Sequence, residues 1–449
     1  MEYKIMDHRC IRKIDVNEFE EEEDTYYMTE SAISTLITHY ENLQNYYQQN
    51  NIEEIVKTLQ EMSFLSINLQ ISDSLFENTN LFSIPLLIDN FSNNLELKIV
   101  IFKLLFNILK SNPNLIHYFI EFYPHLHINE LIYNTNQELS YYPQIIIIYL
   151  IEQNENFPIN LILSNFPFET MFELLNKGVY VHFSINTIKL LTKYNQFDKK
   201  FFQIYQTLPR ILNESDEINI TNSLWILVNS VKFIPQELNN YIDNNLIDAI
   251  NTKYHNISIS NQHNSQMLFY IMKYLIEFCS FRFEPSILIE FAFHNSYSQI
   301  YAIYTLSAYI KYVKEIKDQI IQNLELIVLE MNAAETQLKG AFCNLILEWI
   351  VLLSSSDIIF LLNFDGFSDI IIAFSDIYVV DDVNMSIKII KSVHKLLQNA
   401  ILSSNQRAIE IIMNYFDIDG VKSSNIEENS EFQNILENYS ELIHSYFDN

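Results

Sequence analysis

The sequence has little glycine and little proline, with 4 and 9 of these residues among 449. Glycine supplies the positive-φ turns and close backbone approaches on which β-rich proteins and phosphate-binding loops depend. Its scarcity therefore argues against β-rich and Rossmann-type folds. Long helices joined by polar Asn and Ser turns fit this composition better.

Cysteine is also scarce, and the three cysteines, Cys10, Cys279 and Cys343, show no paired spacing. Two of them lie in or beside apolar helical segments. Such cysteines are typical of buried thiols in a reducing compartment rather than of a disulfide framework. We therefore predict an intracellular protein, cytoplasmic, nuclear or both.

Long apolar runs are lacking as well. Residues Met1–Asp24 contain no apolar run of the signal-peptide type. The most apolar stretches, Ile145–Ile151 and Leu345–Leu353, are far shorter than the roughly 18 residues of a membrane span. The sequence thus predicts no membrane association.

Basic residues are in the minority, with 27 Lys and Arg against 56 Asp and Glu, and the formal net charge is -29. This charge disfavours binding to nucleic-acid phosphates. It is compatible with a basic protein partner, although a large acidic protein can also be acidic without any such role.

Apolar helical segments of similar character are abundant and recur about every forty residues, a spacing typical of helical solenoids. A unit of this length cannot bury its own apolar face, so neighbouring units must stack. The recurring segments are Leu97–Leu109, Tyr142–Ile151, Ser184–Tyr194, Ile220–Val231, Met267–Phe278, Ile300–Tyr312, Leu338–Leu352 and Met385–Leu397. The predicted fold is an all-α, right-handed α-solenoid of about eight or nine repeats.

The predicted solenoid occupies residues 28–449 as one domain, and residues 1–27 form a disordered N-terminal segment with the acidic run Glu18–Asp24. Between the recurring segments the pattern predicts partner helices. They include Leu81–Phe91, Phe168–Asn176, which Gly178 would end, Leu238–Tyr254, Ile316–Met331 and, after a loop at Gly420–Ser430, Glu431–Tyr446.

Segment Ile220–Val231 contains Trp225 and Asn229, four residues apart and therefore on one face of a helix. This arrangement resembles the third helix of an armadillo repeat, and in particular the Trp-x-x-x-Asn pattern of importin-α-like proteins. Segment Leu97–Lys110 resembles the same element, with Asn107 at the Asn position and Lys103 in place of the Trp. The resemblance in period and helix character covers about residues 52–400.

The resemblance implies a concave groove in which Trp225, Asn229 and Asn107 hold an extended peptide. In that family the Asn amides bind the peptide backbone, and the Trp rings flank Lys and Arg side chains. An amide does offer both a donor and an acceptor, and an indole ring attracts cations. The same sequence pattern also fits Trp225 as an aromatic of the core.

No catalytic constellation, phosphate-binding loop or zinc-protease motif is present in the sequence. His117, His125 and His127 lie near Glu121 and Glu130, but ordinary surface histidines explain them better than a metal site. We therefore predict neither an enzyme nor a bound metal or cofactor.

Three functions stay open at this stage. The first is a non-enzymatic interaction scaffold or adaptor that binds a partner protein or extended peptide in its groove. The second is a divergent importin-α-like transport adaptor for Lys/Arg-rich peptides. The third is a structural or regulatory subunit of a larger complex, and the sequence indicates no oligomeric state.

Overall fold

The computed structural model describes residues 30–67, 94–123, 126–153, 157–195, 199–214, 216–256, 262–279, 281–293, 298–378, 383–416 and 430–447. The predictions for Met1–Tyr27, Leu81–Phe91 and most of Gly420–Ser430 lie outside these residues.

All regular structure within the described residues is helical, and these ranges contain no strand. Two short 3-10 helices, Pro113–Leu115 and Lys199–Gln203, accompany 24 α-helices. In chain order the α-helices are α1 Glu30–Gln48, α2 Ile52–Ile67, α3 Leu95–Ser111, α4 Ile116–Phe122, α5 Ile128–Leu131, α6 Gln137–Glu152, α7 Ile159–Asn165, α8 Phe168–Asn176, α9 Val181–Lys193, α10 Ile204–Glu214, α11 Glu217–Phe233, α12 Pro235–Leu238, α13 Asn244–His255, α14 Gln262–Cys279, α15 Ser286–Phe293, α16 Gln299–Tyr309, α17 Lys314–Gln322, α18 Leu324–Ala333, α19 Thr336–Leu352, α20 Ser355–Leu362, α21 Phe367–Tyr378, α22 Val383–Leu402, α23 Gln406–Tyr415 and α24 Ser430–Phe447.

Each of the eight recurring segments is a helix, so this part of the prediction is confirmed. The eight are α3, α6, α9, α11, α14, α16, α19 and α22. The end of α8 is confirmed as well. Gly178 has φ +75°, and its N–H donates to the carbonyl of Leu175, as in a glycine-terminated helix.

Polar residues begin many of the helices, as the composition suggested. The side chain of Asn94 accepts a hydrogen bond from the N–H of Leu97 at 2.9 Å, and Asp243 does the same for Leu246. At α20 the side chains of Ser354 and Asp357 cap each other's backbone N–H groups. Such caps satisfy N–H groups that have no partner inside the helix.

Two predicted helices are wrong as single elements. Leu238–Tyr254 is broken because Asp243 caps a new helix at α13, leaving a turn after the short α12. Ile316–Met331 is divided at Asn323, whose N–H still closes the last turn of α17. In both cases a residue that favours caps interrupts an otherwise apolar pattern.

Three described helices, α7, α10 and α20, have no counterpart among the predicted ones. Pro209 lies inside α10, and an interior proline normally argues against a helix. The signal that could have identified α10 is the spacing of Ile204, Leu208, Ile211 and Leu212, which form one buried face.

The chain divides into two compact units, Glu2–Asn229 and Ser230–Asn449. In the first unit the recurring helices contact one another in order, α2 with α3, α3 with α6, and α6 with α9. Their apolar sides are buried, as Ile101, Ile147 and Ile188 show. Each helix thus buries its apolar side against the helix about forty residues away, as expected for stacked repeats.

The second unit repeats this arrangement. There α14 contacts α16, α16 contacts α19, α19 contacts α22, and α22 contacts α24. Leu306, Ile346 and Ile390 lie fully buried in this stack. The all-helical structure and the neighbour-to-neighbour contacts of the described residues are those predicted for an α-solenoid, whereas the repeat type and the handedness stay predictions.

Hydrogen bonds to backbone carbonyls of the preceding repeat tie the helices together. The hydroxyl group of Tyr149 donates to the carbonyl of Leu109 at 2.9 Å, and the hydroxyl group of Tyr274 donates to that of Pro235. Burial raises the pKa of both phenols to about 12. The ring can therefore pack against its neighbour while the hydroxyl group keeps its hydrogen bond.

Two tyrosines hold the extended segment that precedes α15. The hydroxyl group of Tyr309 donates to the carbonyl of Phe283 at 2.5 Å and accepts from the N–H of the same residue at 2.7 Å. The hydroxyl group of Tyr254 likewise donates to the carbonyl of Glu284 and accepts from the N–H of Leu288. A loop without internal hydrogen bonds is satisfied in this way by side chains.

We expect Tyr309→Phe to lower the free energy of unfolding by about 1–3 kcal/mol, because it leaves a buried carbonyl and a buried N–H without their partner. Urea unfolding followed by circular dichroism measures this loss. Tyr415→Phe is the matched control, since Tyr415 is exposed. Equal stability of the two variants would contradict the proposed role of the hydroxyl group.

Stability should also fall as the pH rises above 10. Tyr149 and Tyr274 keep their protons to about pH 12 in the folded chain, whereas a phenol of the unfolded chain loses its proton near pH 10. Between pH 10 and pH 12 the unfolded chain binds fewer protons than the folded chain, so a rise in pH favours unfolding. The urea midpoint of unfolding, measured at pH 8 and at pH 11, gives the change in stability. The midpoint of Tyr149→Phe/Tyr274→Phe should change less between these pH values than that of the unaltered chain.

Candidate functional site

The predicted peptide-binding residues lie on two recurring helices and are buried. Trp225 and Asn229 on α11 are 9% and 6% exposed, and Asn107 on α3 is 9% exposed. The expected exposure of Trp225 and Asn229 on a concave face is therefore wrong. Trp225 occupies the position of a core aromatic, the alternative that the sequence left open. The second tryptophan, Trp349, is fully buried.

The two asparagines use their amides within the chain. The amide of Asn107 donates to both the carbonyl and the hydroxyl oxygen of Ser63 on α2, each at 3.0 Å. The amide of Asn229 donates to the hydroxyl oxygen of Thr192 on α9 at 3.2 Å. A buried amide needs such partners. The two amides thus join neighbouring helices of the first unit.

The recurring helices other than α11 each keep a narrow stripe open to solvent, on which most residues lie three or four apart. In the first unit this stripe is mixed on α3, aromatic and aliphatic on α6, and polar on α9. The half-buried and exposed members are Ile99, Lys103, Phe106 and Lys110 on α3, Tyr141, Tyr142, Ile145 and Tyr149 on α6, and His182, Asn186, Lys189 and Lys193 on α9. Residues at this spacing share one helix face.

Charge on the α9 stripe is weakened near its centre. Burial, assisted by the charge of Lys193 and opposed by that of Glu152, lowers the pKa of Lys189 to about 8. A lysine with this pKa is partly neutral in mildly alkaline solution. The first unit therefore presents a surface that is more apolar and aromatic than charged.

In the second unit the stripes of α14, α16, α19 and α22, together with the residues that end α16, carry polar and basic side chains. The half-buried and exposed members are His263, Gln266, Tyr270, Lys273 and Glu277, then Tyr301, Tyr304 and Lys311, then Asn344, Glu348 and Val351, and finally Lys388, Lys391 and Lys395. We call the part of this surface formed by Lys273, Lys311, Lys388, Lys391 and Lys395 the lysine face.

Glu348 lies among these lysines and is shared by two of them. Its carboxylate is 2.7 Å from Nζ of Lys388 and 3.1 Å from Nζ of Lys311. Burial opposes ionisation of this carboxyl group, but the hydrogen bonds from the two lysines outweigh that effect and hold its pKa below the ordinary value. Lys388 also donates to the side-chain oxygen of Asn344 at 3.1 Å.

The remaining members of the lysine face have weaker partners. Nζ of Lys395 donates to the carbonyls of Ile350 and Val351 at the end of α19. Lys391 forms an exposed ion pair with Glu431 at 2.7 Å. Lys273 lies 5.8 Å from the ring centre of Tyr304. The carbonyl groups and the tyrosine ring are neutral partners, and the ion pair of Lys391 lies at the surface, where such pairs are weak.

The recurring helices differ in charge from the rest of the protein. From α3 to α22 they contain eleven lysines, no arginine, six glutamates and no aspartate, which is a formal excess of five positive charges in a chain of net charge -29. The negative charge is thus concentrated outside these helices. The lysines are Lys98, Lys103, Lys110, Lys189, Lys193, Lys232, Lys273, Lys339, Lys388, Lys391 and Lys395, and the glutamates are Glu96, Glu138, Glu152, Glu217, Glu277 and Glu348.

Two hollows lie beside the stripes. One, of about 420 Å³, lies between α1 and α2 and is lined by His39, Glu61 and Phe64. The other, of about 820 Å³, lies between α17, α18 and α20 and is lined by Ile359 and Phe360. Both are open to solvent and have mixed linings. In the first, the ring of His39 pairs with the carboxylate of Glu61 at 3.4 Å, and in the second, Glu325 and Asp365 lie beside the apolar residues.

The histidines considered as metal ligands do not come together in the described part of the chain. The ring of His127 contacts Glu130 at 3.0 Å, and the ring of His117 contacts the carbonyl of Asn114. His125 lies outside the described residues. Among these residues no three His, Cys, Asp or Glu side chains form a group that could hold a metal ion.

Neither described cysteine has the character of a nucleophile. Burial raises the pKa of the Cys343 thiol to about 12, and burial also raises that of Cys279. The thiolate is the reactive form, so both groups are inert near neutral pH.

No described helix by itself has the length and apolar character needed to cross a membrane. Two strongly bent helix pairs, one bent by 116° at Asn112 and one by 95° between α20 and α21, satisfy the criteria of length and composition when taken together.

The comparisons with known proteins bear on the fold. The chain is similar to an engineered protein whose crystal structure was determined by the Northeast Structural Genomics Consortium, with a TM-score of 0.64 and 11% sequence identity over 93% of this chain and 99% of the other. No protein-family model and no curated protein matches the sequence. At this level of identity the likeness concerns the fold alone.

We expect Asn107→Ala to destabilise the protein by about 1–3 kcal/mol, because the hydrogen bonds between α3 and α2 are lost from a buried site. The loss is measured as a change in the free energy of unfolding relative to Asn332→Ala. Asn332 is an exposed residue inside α18, so this control carries the same change in helix propensity. A peptide-binding role for Asn107 would instead predict equal stability of the two variants.

Proposed function

We propose that this protein is a non-enzymatic interaction scaffold with right-handed armadillo- or HEAT-like repeats, and that it binds partner proteins on the exposed stripes of its recurring helices. The observation that carries the proposal is the succession of these stripes, within each unit, on helices that contact each other in order. A surface of this kind offers many small, evenly spaced contacts to an extended partner.

The chemistry of the described residues supports binding over catalysis. Most of the shifted pKa values belong to buried tyrosines, thiols and lysines in structural positions. Examples are the phenol of Tyr254 and the thiol of Cys343. Shifted groups that serve a reaction are expected to meet in a cleft. In the hollow between α1 and α2 the titratable side chains, His39 and Glu61, are paired with each other at 3.4 Å.

Charge also separates the candidate partners. An importin-α-like adaptor for Lys/Arg-rich peptides needs carboxylates along the recurring helices. Those helices instead carry more lysines than glutamates, and the predicted Trp225 and Asn229 are buried. The general scaffold is therefore the better supported of the two functions.

The proposal is tested by affinity purification of the full chain and of two double variants, followed by mass spectrometry and binding measurements with the purified partner. The stripe variant is Tyr141→Ala/Lys391→Gln, which removes one exposed side chain from each unit. The control variant is Leu329→Ala/Tyr415→Ala, whose residues are exposed on α18 and α23.

A specific partner should be retained by the control variant and bound at least about tenfold more weakly by the stripe variant, if a hot-spot side chain is removed. If only the control variant loses the partner, the binding site lies on α18 or α23 and not on the stripes of the recurring helices. That result would support the structural-subunit function instead.

A further inference from the structure

We propose, building on the scaffold function above, that the lysine face of the second unit binds an acidic, extended segment of a partner protein. The lysines of this face come from α14, from the end of α16 and from α22, and they surround Glu348 and Asn344 on α19. Four successive recurring helices therefore contribute to one surface of basic and polar character.

The position of Glu348 shows that this surface holds a carboxylate. Lys311 and Lys388 lie on helices two steps apart in the stack, yet both reach the same side chain, one at each oxygen. The carboxylate is only 12% exposed, whereas the lysines are 49% and 44% exposed. Each ammonium group keeps donors for a second acceptor from outside.

The number of charges leaves room for a ligand. One internal carboxylate is shared by two lysines, and Lys395 meets only neutral carbonyl oxygens among its described hydrogen bonds. Lys391 is paired at the surface, where its ion pair with Glu431 is weak and can be exchanged. The five lysines of the face outnumber the three carboxylates beside them, Glu277, Glu348 and Glu431, so side-chain carboxylates of a ligand would find positive charge in excess.

The spacing of the helices favours an extended chain. Packed helices lie about 8–10 Å apart, and an extended peptide advances about 3.3 Å per residue. A ligand that crosses the stack therefore meets a new helix about every third residue. Asn344 lies among the lysines and offers its amide group to a peptide backbone.

A polypeptide is a better occupant than a nucleic acid. The whole chain has a net charge of -29, so a long polyanion that extends beyond the lysine face would be repelled. A short acidic segment can confine its charges to the face. Nucleic-acid binding depends on the neutralisation of many successive phosphates, and this surface supplies few cations.

The test uses the full chain and a fluorescein-labelled peptide that alternates glutamate and serine, with the glutamine–serine peptide as the uncharged control. Fluorescence anisotropy at low and high salt measures binding. A single-stranded oligonucleotide of the same formal charge forms the third arm. The acidic peptide should bind, lose affinity as salt is added, and bind more tightly than the other two.

Two variants locate the site. Lys273→Gln/Lys391→Gln should bind the acidic peptide about fivefold more weakly or worse, as loss of one half-buried and one exposed charge contact predicts. Lys253→Gln/Arg407→Gln removes the same charge from α13 and α23 and should bind like the unaltered chain. Equal weakening in both variants would reduce the effect to overall charge and overturn the proposal.

Glu348→Gln provides a test in the opposite direction. It frees Lys311 and Lys388 from the internal carboxylate, so affinity for the acidic peptide should increase about fivefold. A thermal melt of each variant confirms that it is folded. Unchanged or weaker binding by folded Glu348→Gln, or tighter binding of the oligonucleotide than of the peptide, would overturn the proposal.

The outcome separates this inference from the scaffold function. If the purified partner from the affinity experiment binds normally to Lys273→Gln/Lys391→Gln, the lysine face is not its site, although the scaffold function stands. If that partner binds through α18 and α23, the scaffold function in its proposed form fails, whatever the peptide does.

Discussion

The structure depends on the fact that no forty-residue unit of this chain can bury its own apolar side. Each recurring helix has apolar residues on most of its circumference, and α11 is buried throughout its middle. Such a helix is stable only when it is covered by the helices before and after it. Stacking in sequence order is the solution within each unit, and it leaves a narrow stripe for solvent on the recurring helices other than α11. The exposed surface is therefore a consequence of how the core is built.

Burial on this scale requires that polar groups between the helices find partners inside the chain. Asn107, Asn229 and Thr305 all do so by bonding to the preceding recurring helix of their own unit. The longer side chains of Tyr149 and Tyr274 also join neighbouring repeats, because their hydroxyl groups donate hydrogen bonds to backbone carbonyls. An apolar interface alone would tolerate sliding, whereas a directed hydrogen bond favours one register. We interpret these polar residues as the elements that align the stripes.

Periodicity in the sequence was sufficient to locate every recurring helix, because a buried helix repeats its apolar residues at a spacing that can be read directly. Periodicity did not show whether Trp225 and Asn229 are exposed or buried. Four-residue spacing establishes that two side chains share a face, but not whether that face is covered. Coverage depends on contacts between residues about forty positions apart, such as the bond of Asn229 to Thr192. The breaks at Asp243 and Asn323 were missed for the opposite reason, since single capping residues were outweighed by an apolar pattern.

The charge of the protein acquires a different meaning once the helices are assigned. Taken over the chain, -29 suggests a basic partner. Divided by element, the recurring helices carry a positive excess, and the remaining segments carry a larger negative excess. A negative net charge repels long polyanions, whereas lysines act at short range on groups that reach them. On the proposal above, this combination would select ligands whose negative charge is limited to a short segment. Specificity of this kind arises from what is excluded as much as from what is bound.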